Sequence, residues 1–143
     1  MIPAEPPIAG TVFRYAFLWS TEDRAGLESG QKDRPAGLVV ARRPQDGSCI
    51  VVPITHREPE GRTVGVEIPT EIRRSIGLDD RRQWVIVSEG NDFVWPGPDL
   101  RAIPDLAPPT VVYGTVPRRF FALVLAHMQI LIKARRLALS PRR

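Results

Sequence analysis

Prolines and glycines decide how this chain can be divided. Its 143 residues include 15 prolines and 11 glycines, and all of them except Pro141 fall at or before Pro117. Proline removes a backbone donor and fixes φ, while glycine ends regular elements at little steric cost, so no long helix fits in that stretch. The spacing predicts a mainly β fold of short strands joined by turns. Between Pro117 and Pro141 neither residue occurs, and there a long helix becomes possible.

Residues 10–19 (GTVFRYAFLW) are rich in aromatic and β-branched types and read as the first strand. Residues 20–33 are polar and charged, a surface loop of a length often given over to function. Strands are expected at 37–41 (GLVVA) and 48–54 (SCIVVPI), joined by a turn at 42–47 whose Asp46-Gly47 pair suits a hairpin. Residues 63–68 (TVGVEI) alternate as a one-sided strand, and 84–87 (WVIV) form another. A short helix is expected near 70–77, opening at Pro69-Thr70 and closing at Gly77. The segment 91–109 is too proline-rich for regular structure beyond a brief strand at 93–95, and 111–113 form a short extended piece. Helix 118–137 follows within a C-terminal unit at 117–138. Its apolar face is too wide for a solitary surface helix, so it must pack into the domain or against a second subunit.

A chain of 16.0 kDa with 43% apolar and 25% charged residues fits one domain, 1–143, with its β core at 10–104. Residues 1–9 and 139–143 are expected to be loose ends. Cys49 is the single cysteine, so no internal disulfide can form, and with no signal-like start the expected compartment is the cytoplasm. No apolar run approaches the ~20 residues that span a bilayer, so no membrane partner is expected. The net charge of +4 is unevenly placed: seven cations and no acid follow Asp105, leaving thirteen cations against sixteen acids up to and including it. Bulk basicity therefore gives no argument that the β core binds nucleic acid.

Three neighbourhoods carry residue types with chemistry. In Lys32-Asp33-Arg34-Pro35 a proline pins a charged loop at the start of a strand and holds Arg34 more firmly than a loop would. A fixed guanidinium can grip a phosphate through two N–H bonds, while the structural alternative is an ion pair with Asp33 or another acid. In Pro53-Ile54-Thr55-His56-Arg57 a strand surfaces and presents a hydroxyl, an imidazole and a guanidinium in succession. His56 can act as acid or base, or be a plain surface histidine beside Arg57 and Glu58. In Gly26-Leu27-Glu28-Ser29-Gly30 a flexible segment carries Glu28, either over a site or simply to keep the loop solvated. His127, on the apolar side of the last helix, reads as a core or interface residue. The two histidines lie far apart and no acids stand at ligand spacing, so no metal or cofactor site is expected. Trp84, Phe93 and Trp95 can stack on bases, but in short strands they read first as core.

With GTVFRYAFLW, then GLESGQKDRP before an apolar strand, then CIVVPIT, the chain resembles the PemK/MazF-like toxins of type II toxin–antitoxin systems. VEIPTEIRRSIGL and WVIVSEGNDFVWPGPDL resemble a divergent branch of PemK-like growth inhibitors. The likeness spans residues 10–104. Its most specific elements are the Arg-Pro pair opening the second strand and the Pro-Ile-Thr closing the third, with Arg34 and Thr55 21 residues apart. The resemblance implies a small SH3-like β-barrel of the PemK/MazF/CcdB type with helical additions. It further implies a homodimer, RNA cleavage without metal or cofactor, and neutralisation by an antitoxin protein. It places the family's catalytic arginine on Arg34, its threonine on Thr55 and its loop glutamate on Glu28, with one extra residue before the Arg-Pro pair. His56, Asp33, Lys32 and Asn91 are further candidates for the base or for substrate binding.

RNA cleavage of that kind uses the 2′-hydroxyl as nucleophile, so the protein must supply a base, an acid and charge stabilisation. A guanidinium stays protonated, which suits Arg34 to holding the phosphate and stabilising the transition state. Thr55 would hydrogen-bond a phosphate or 2′ oxygen. The base is left open between Glu28 and His56. Two other functions use the same barrel: inhibition of a protein target, such as a topoisomerase, or RNA or partner binding by a catalytically inactive relative.

Overall fold

The three strands β1 (Thr11–Tyr15), β2 (Arg34–Arg43) and β3 (Ser48–Thr55) form the spine of the computed structural model, which describes residues 5–15, 34–96 and 100–142. β2 and β3 pair antiparallel from Ala36↔Ile54 to Arg43↔Ser48, with a one-residue slip between Val39 and Ala41. Their turn closes at Gly47, which sits at φ 72°, a conformation that favours glycine. Asp46 Oδ1 accepts bonds from the Ser48 N–H at 2.9 Å and the Ser48 hydroxyl at 2.7 Å, holding the turn from its own sequence.

Among the described residues, five further strands extend a mainly β sheet. These are β4 (Gly65–Glu67), β5 (Trp84–Ile86), β6 (Glu89–Val94), β7 (Val112–Thr115) and β8 (Ala138–Arg142). The path runs β4-β5-β3-β2-β1-β7, and β6 joins β3 on one side and β8 on the other. All pairs are antiparallel except β6 with β8. The second edge of β3 is shared: Ser48–Val51 pair with β6, and Ile54 and Thr55 pair with β5. Pro53 lies between the two partners, where its missing N–H breaks no ladder on that edge. β4 and β7 do not pair with each other, so among the described residues the sheet is open and the expected barrel closure is not seen.

The sheet buries both faces. Val12, Ala36, Leu38, Val52, Ile54 and Val85 face one core, closed by Ile76 and Leu78 and by Phe120, Val124, Met128 and Leu131. Phe13, Tyr15, Val39, Cys49, Val51 and Trp95 face the other. Phe13 stacks edge-on to Trp95 at 5.0 Å and tilted on Tyr15 at 5.1 Å. The Tyr15 ring lies directly on Gly37, where a Cβ would meet the ring and also come within 2.6 Å of Val51 Cγ1. Trp84 and Trp95 are both buried, in keeping with their reading as core.

Among the described residues two helices flank the sheet, α1 (Thr70–Ser75) and α2 (Arg118–Lys133). Each starts after a proline, Pro69 or Pro117, in extended conformation. Each also ends in the same paired bonds. In α1, Gly77 (φ 80°) donates to Arg74 O at 3.3 Å and Leu78 to Arg73 O at 2.9 Å. In α2, Arg135 (φ 57°) donates to Ile132 O at 3.0 Å and Arg136 to Leu131 O at 2.8 Å. This is a Schellman end, normally announced by glycine. At α2 an arginine occupies the left-handed position, and the helix stops at Lys133 rather than at the expected residue 137.

The chain's end departs further from expectation. Residues 138–142 are not loose but form β8, paired in parallel with β6 from Glu89↔Ala138 to Phe93↔Arg142. The N-terminal arm is tethered too, since Arg42 Nη1 donates to Pro6 O at 3.0 Å and Pro6 is buried. On α2, only part of the wide apolar face is covered, and Leu123, Ile130 and Ile132 remain exposed. No described helix is long and apolar enough to cross a membrane.

Candidate functional site

The polar end of β3 gathers the chemistry. Thr55 is the last residue of β3 and pairs with Trp84, which in turn pairs with Glu67 on β4. It is 8% exposed, and its Oγ1 accepts the Arg57 N–H at 3.1 Å, so the hydroxyl shapes the turn while, among the described residues, its own proton has no acceptor. The next residue, His56, turns toward the segment after α1. Its Nε2 lies 2.8 Å from Oδ2 and 3.1 Å from Oδ1 of Asp79.

Asp79 is held from several directions. Its Oδ1 accepts the Arg81 N–H at 3.0 Å, an Asx turn, and Nε2 of the fully buried Gln83 at 3.0 Å. The loop itself is pinned by the buried Arg73, which donates to Ile68 O at 2.7 Å and to Asp80 O at 3.4 Å. Gly77 ends α1, Leu78 drops into the core, and Asp79 therefore leaves the helix in a fixed direction.

The main chain of Arg34 opens β2 opposite Tyr15 of β1. Two residues on, Ala36 pairs with Ile54, the neighbour of Thr55. The backbones of Arg34 and Thr55 thus share one end of adjacent strands, which lie about 4.8 Å apart in a sheet. Glu28, Lys32 and Asp33 lie outside the described residues. Asn91 lies four residues back along β3, paired with Val51 toward the strand's other half, and is fully buried. Its Nδ2 donates to Gly90 O at 3.2 Å and Ser140 O at 3.3 Å, and its Oδ1 accepts the Tyr15 hydroxyl at 3.4 Å. The structure thus brings Arg34 main chain, Thr55 and His56 together and separates Asn91 from them.

A charged rim surrounds the Thr55 corner. Arg82 grips Glu67 through two bonds, at 2.8 and 2.9 Å, and lies 4.9 Å over the Trp84 ring. The hydrogen bond from Arg82 holds the Glu67 carboxyl below its ordinary range, and the same bond raises Arg82. Across the sheet, burial and the nearby Asp92 push the Cys49 thiol up to about 12, against the opposing Arg43. Among the described residues, no three His, Cys, Asp or Glu side chains are grouped to hold a metal ion.

The sequence reading missed Asp79 and Gln83. Nothing in their spacing ties them to His56, and only the Gly77 stop followed by Leu78-Asp79-Asp80 hinted that an acid would be held after the helix. No protein-family model matches the chain, and no curated protein matches it.

Proposed function

We propose that this protein is a metal-independent, sequence-selective endoribonuclease, a PemK/MazF-like toxin that cleaves single-stranded RNA by attack of the 2′-hydroxyl. The observation that carries the reading is the juncture of β2 and β3, where the residue types needed for phosphate chemistry gather at one strand end. In this reading Arg34 holds the scissile phosphate and stabilises its developing charge, and Thr55 donates to a phosphate or ribose oxygen. The rim cations Arg57, Arg81 and Arg82 would guide the RNA backbone toward that corner. The open, folded sheet is read as an SH3-like barrel of the PemK/MazF/CcdB type, and the exposed apolar residues of α2 suit a homodimer or a bound antitoxin protein. The compartment that fits such a toxin is the cytoplasm.

The test is incubation of single-stranded RNA with purified protein in a chelator, with products resolved on a gel and their ends identified. Cleavage to 2′,3′-cyclic phosphate and 5′-hydroxyl ends is expected. Arg34→Ala should lower the rate at least ~100-fold, the size of a lost electrostatic donor, with an unchanged circular dichroism spectrum. Undiminished cleavage by that variant removes Arg34 from the chemistry. Intact RNA with the unmodified protein removes the nuclease function altogether.

A further inference from the structure

We infer that His56 and Asp79 form the proton-accepting pair of this site, Asp79 fixing the imidazole so that its Nδ1 takes the proton of the ribose 2′-hydroxyl. The inference rests on the nuclease reading above and decides which group is the base.

The geometry of the pair supports that role. Asp79 engages Nε2 through both carboxylate oxygens, at 2.8 and 3.1 Å. A carboxylate accepts only, so the proton of the neutral ring is held on Nε2 and the lone pair is left on Nδ1. Among the described residues Nδ1 has no partner. This is the logic of an acid orienting a catalytic histidine, with the two ring nitrogens exchanged relative to the serine-protease arrangement. The ring is also accessible without being loose, with 19% of its side chain exposed against 51% for Asp79.

A surface ion pair kept only for stability contributes little and needs no further support. Here the acid is supported from below. Gln83 is fully buried, gives its Nε2 to Asp79, and keeps its own Oε1 buried with no partner among the described residues. A buried amide thus fixes Asp79, and Asp79 holds His56 immediately after Thr55. In chemical terms, His56 Nδ1 takes the 2′-hydroxyl proton as the 2′-oxygen forms its bond to phosphorus. The bond from phosphorus to the 5′-oxygen breaks, its electron pair leaves on that oxygen, and the imidazolium returns the proton there. His56 is the catalytic residue and Asp79 a positioning residue.

The experiment compares the unmodified protein with His56→Ala, Asp79→Asn and Arg34→Ala on one RNA oligonucleotide in chelator, reading kcat, KM and melting temperature. His56→Ala should lower kcat at least ~100-fold with KM within about threefold, as loss of a general base does. Free imidazole in the buffer should restore part of that rate, and restore nothing to Arg34→Ala. Asp79→Asn should lower kcat at least about tenfold, because an amide no longer enforces the tautomer. If both His56→Ala and Asp79→Asn keep kcat within about threefold, the pair is not the base while the nuclease reading stands. A loss in His56→Ala that imidazole does not restore, at unchanged melting temperature, assigns His56 a structural role and overturns the inference. No cleavage by the unmodified protein overturns both.

Discussion

β3 has a polar cluster near each end, and the two are built in opposite ways. At the Val51 end, Tyr15, Asn91 and the Ser140 carbonyl lie inside the fold and bond one another. At the Thr55 end, His56 and Asp79 sit at the surface, with one ring nitrogen left over. A buried polar group must be bonded within the protein, so the first cluster spends its capacity on joining β1, β6 and β8. Water satisfies what the protein does not at the second, so its capacity remains open to a ligand. The difference separates residues that make the fold from residues that can do chemistry, even where both are polar.

Perturbing the closed end should show the larger effects on stability. Gly37→Ala forces a methyl into the space of the Tyr15 ring and Val51, and should destabilise by about 3 kcal/mol, at the upper end of overpacking. Urea denaturation measures this, and a change under about 1 kcal/mol would mean that the tyrosine is free to move and the cluster is not rigid. Next in size, Asn91→Ala should cost about 2 kcal/mol, since it removes the buried amide that bonds the Ser140 carbonyl and the Tyr15 hydroxyl. The matching change at the open end, Asp79→Ala, should cost under about 1 kcal/mol. Equal losses at Asn91 and Asp79 would erase the contrast between the two ends.

The remaining effects are those of pH. The Cys49 thiol is held up to about 12 in the folded chain against an ordinary 9.0. Above pH 9 the unfolded chain loses this proton and the folded chain keeps it, so stability falls as pH rises toward 12. Denaturation midpoints at pH 8 and pH 10 should converge for Cys49→Ala relative to the unmodified protein. Glu67 has the opposite sign: its carboxyl is lowered, so the contribution of its pair with Arg82 is present above the ordinary carboxylate range and fades as pH falls. Being exposed, that pair should respond to salt and contribute barely measurably.

Local rules were enough for the β2–β3 hairpin and the short helix. The alternation in 48–54, the Asp46-Gly47 turn, and the start at Pro69 with the stop at Gly77 each rest on interactions a few residues apart, and each is found within a residue or two of its expected place. β8 could not be foreseen in the same way. Its residues, ALSPR, contain a proline and a cation, and they form a strand because the edge of β6 that β3 leaves open lies more than forty positions upstream. The end of α2 was also hidden, since a left-handed arginine carries no signal of its own.

The amino-acid order thus settled the mainly β character, the hairpin and the neighbouring strand ends that carry Arg34 and Thr55. These follow from steric and hydrophobic preferences acting over a few residues. Folding in three dimensions decided which polar groups are consumed and which stay open. It buried Asn91 against Ser140 and Tyr15, and it brought Asp79 from behind α1 to His56. Burial and long-range pairing depend on what the rest of the chain lays over a residue, and no property of the residue or its neighbours encodes that.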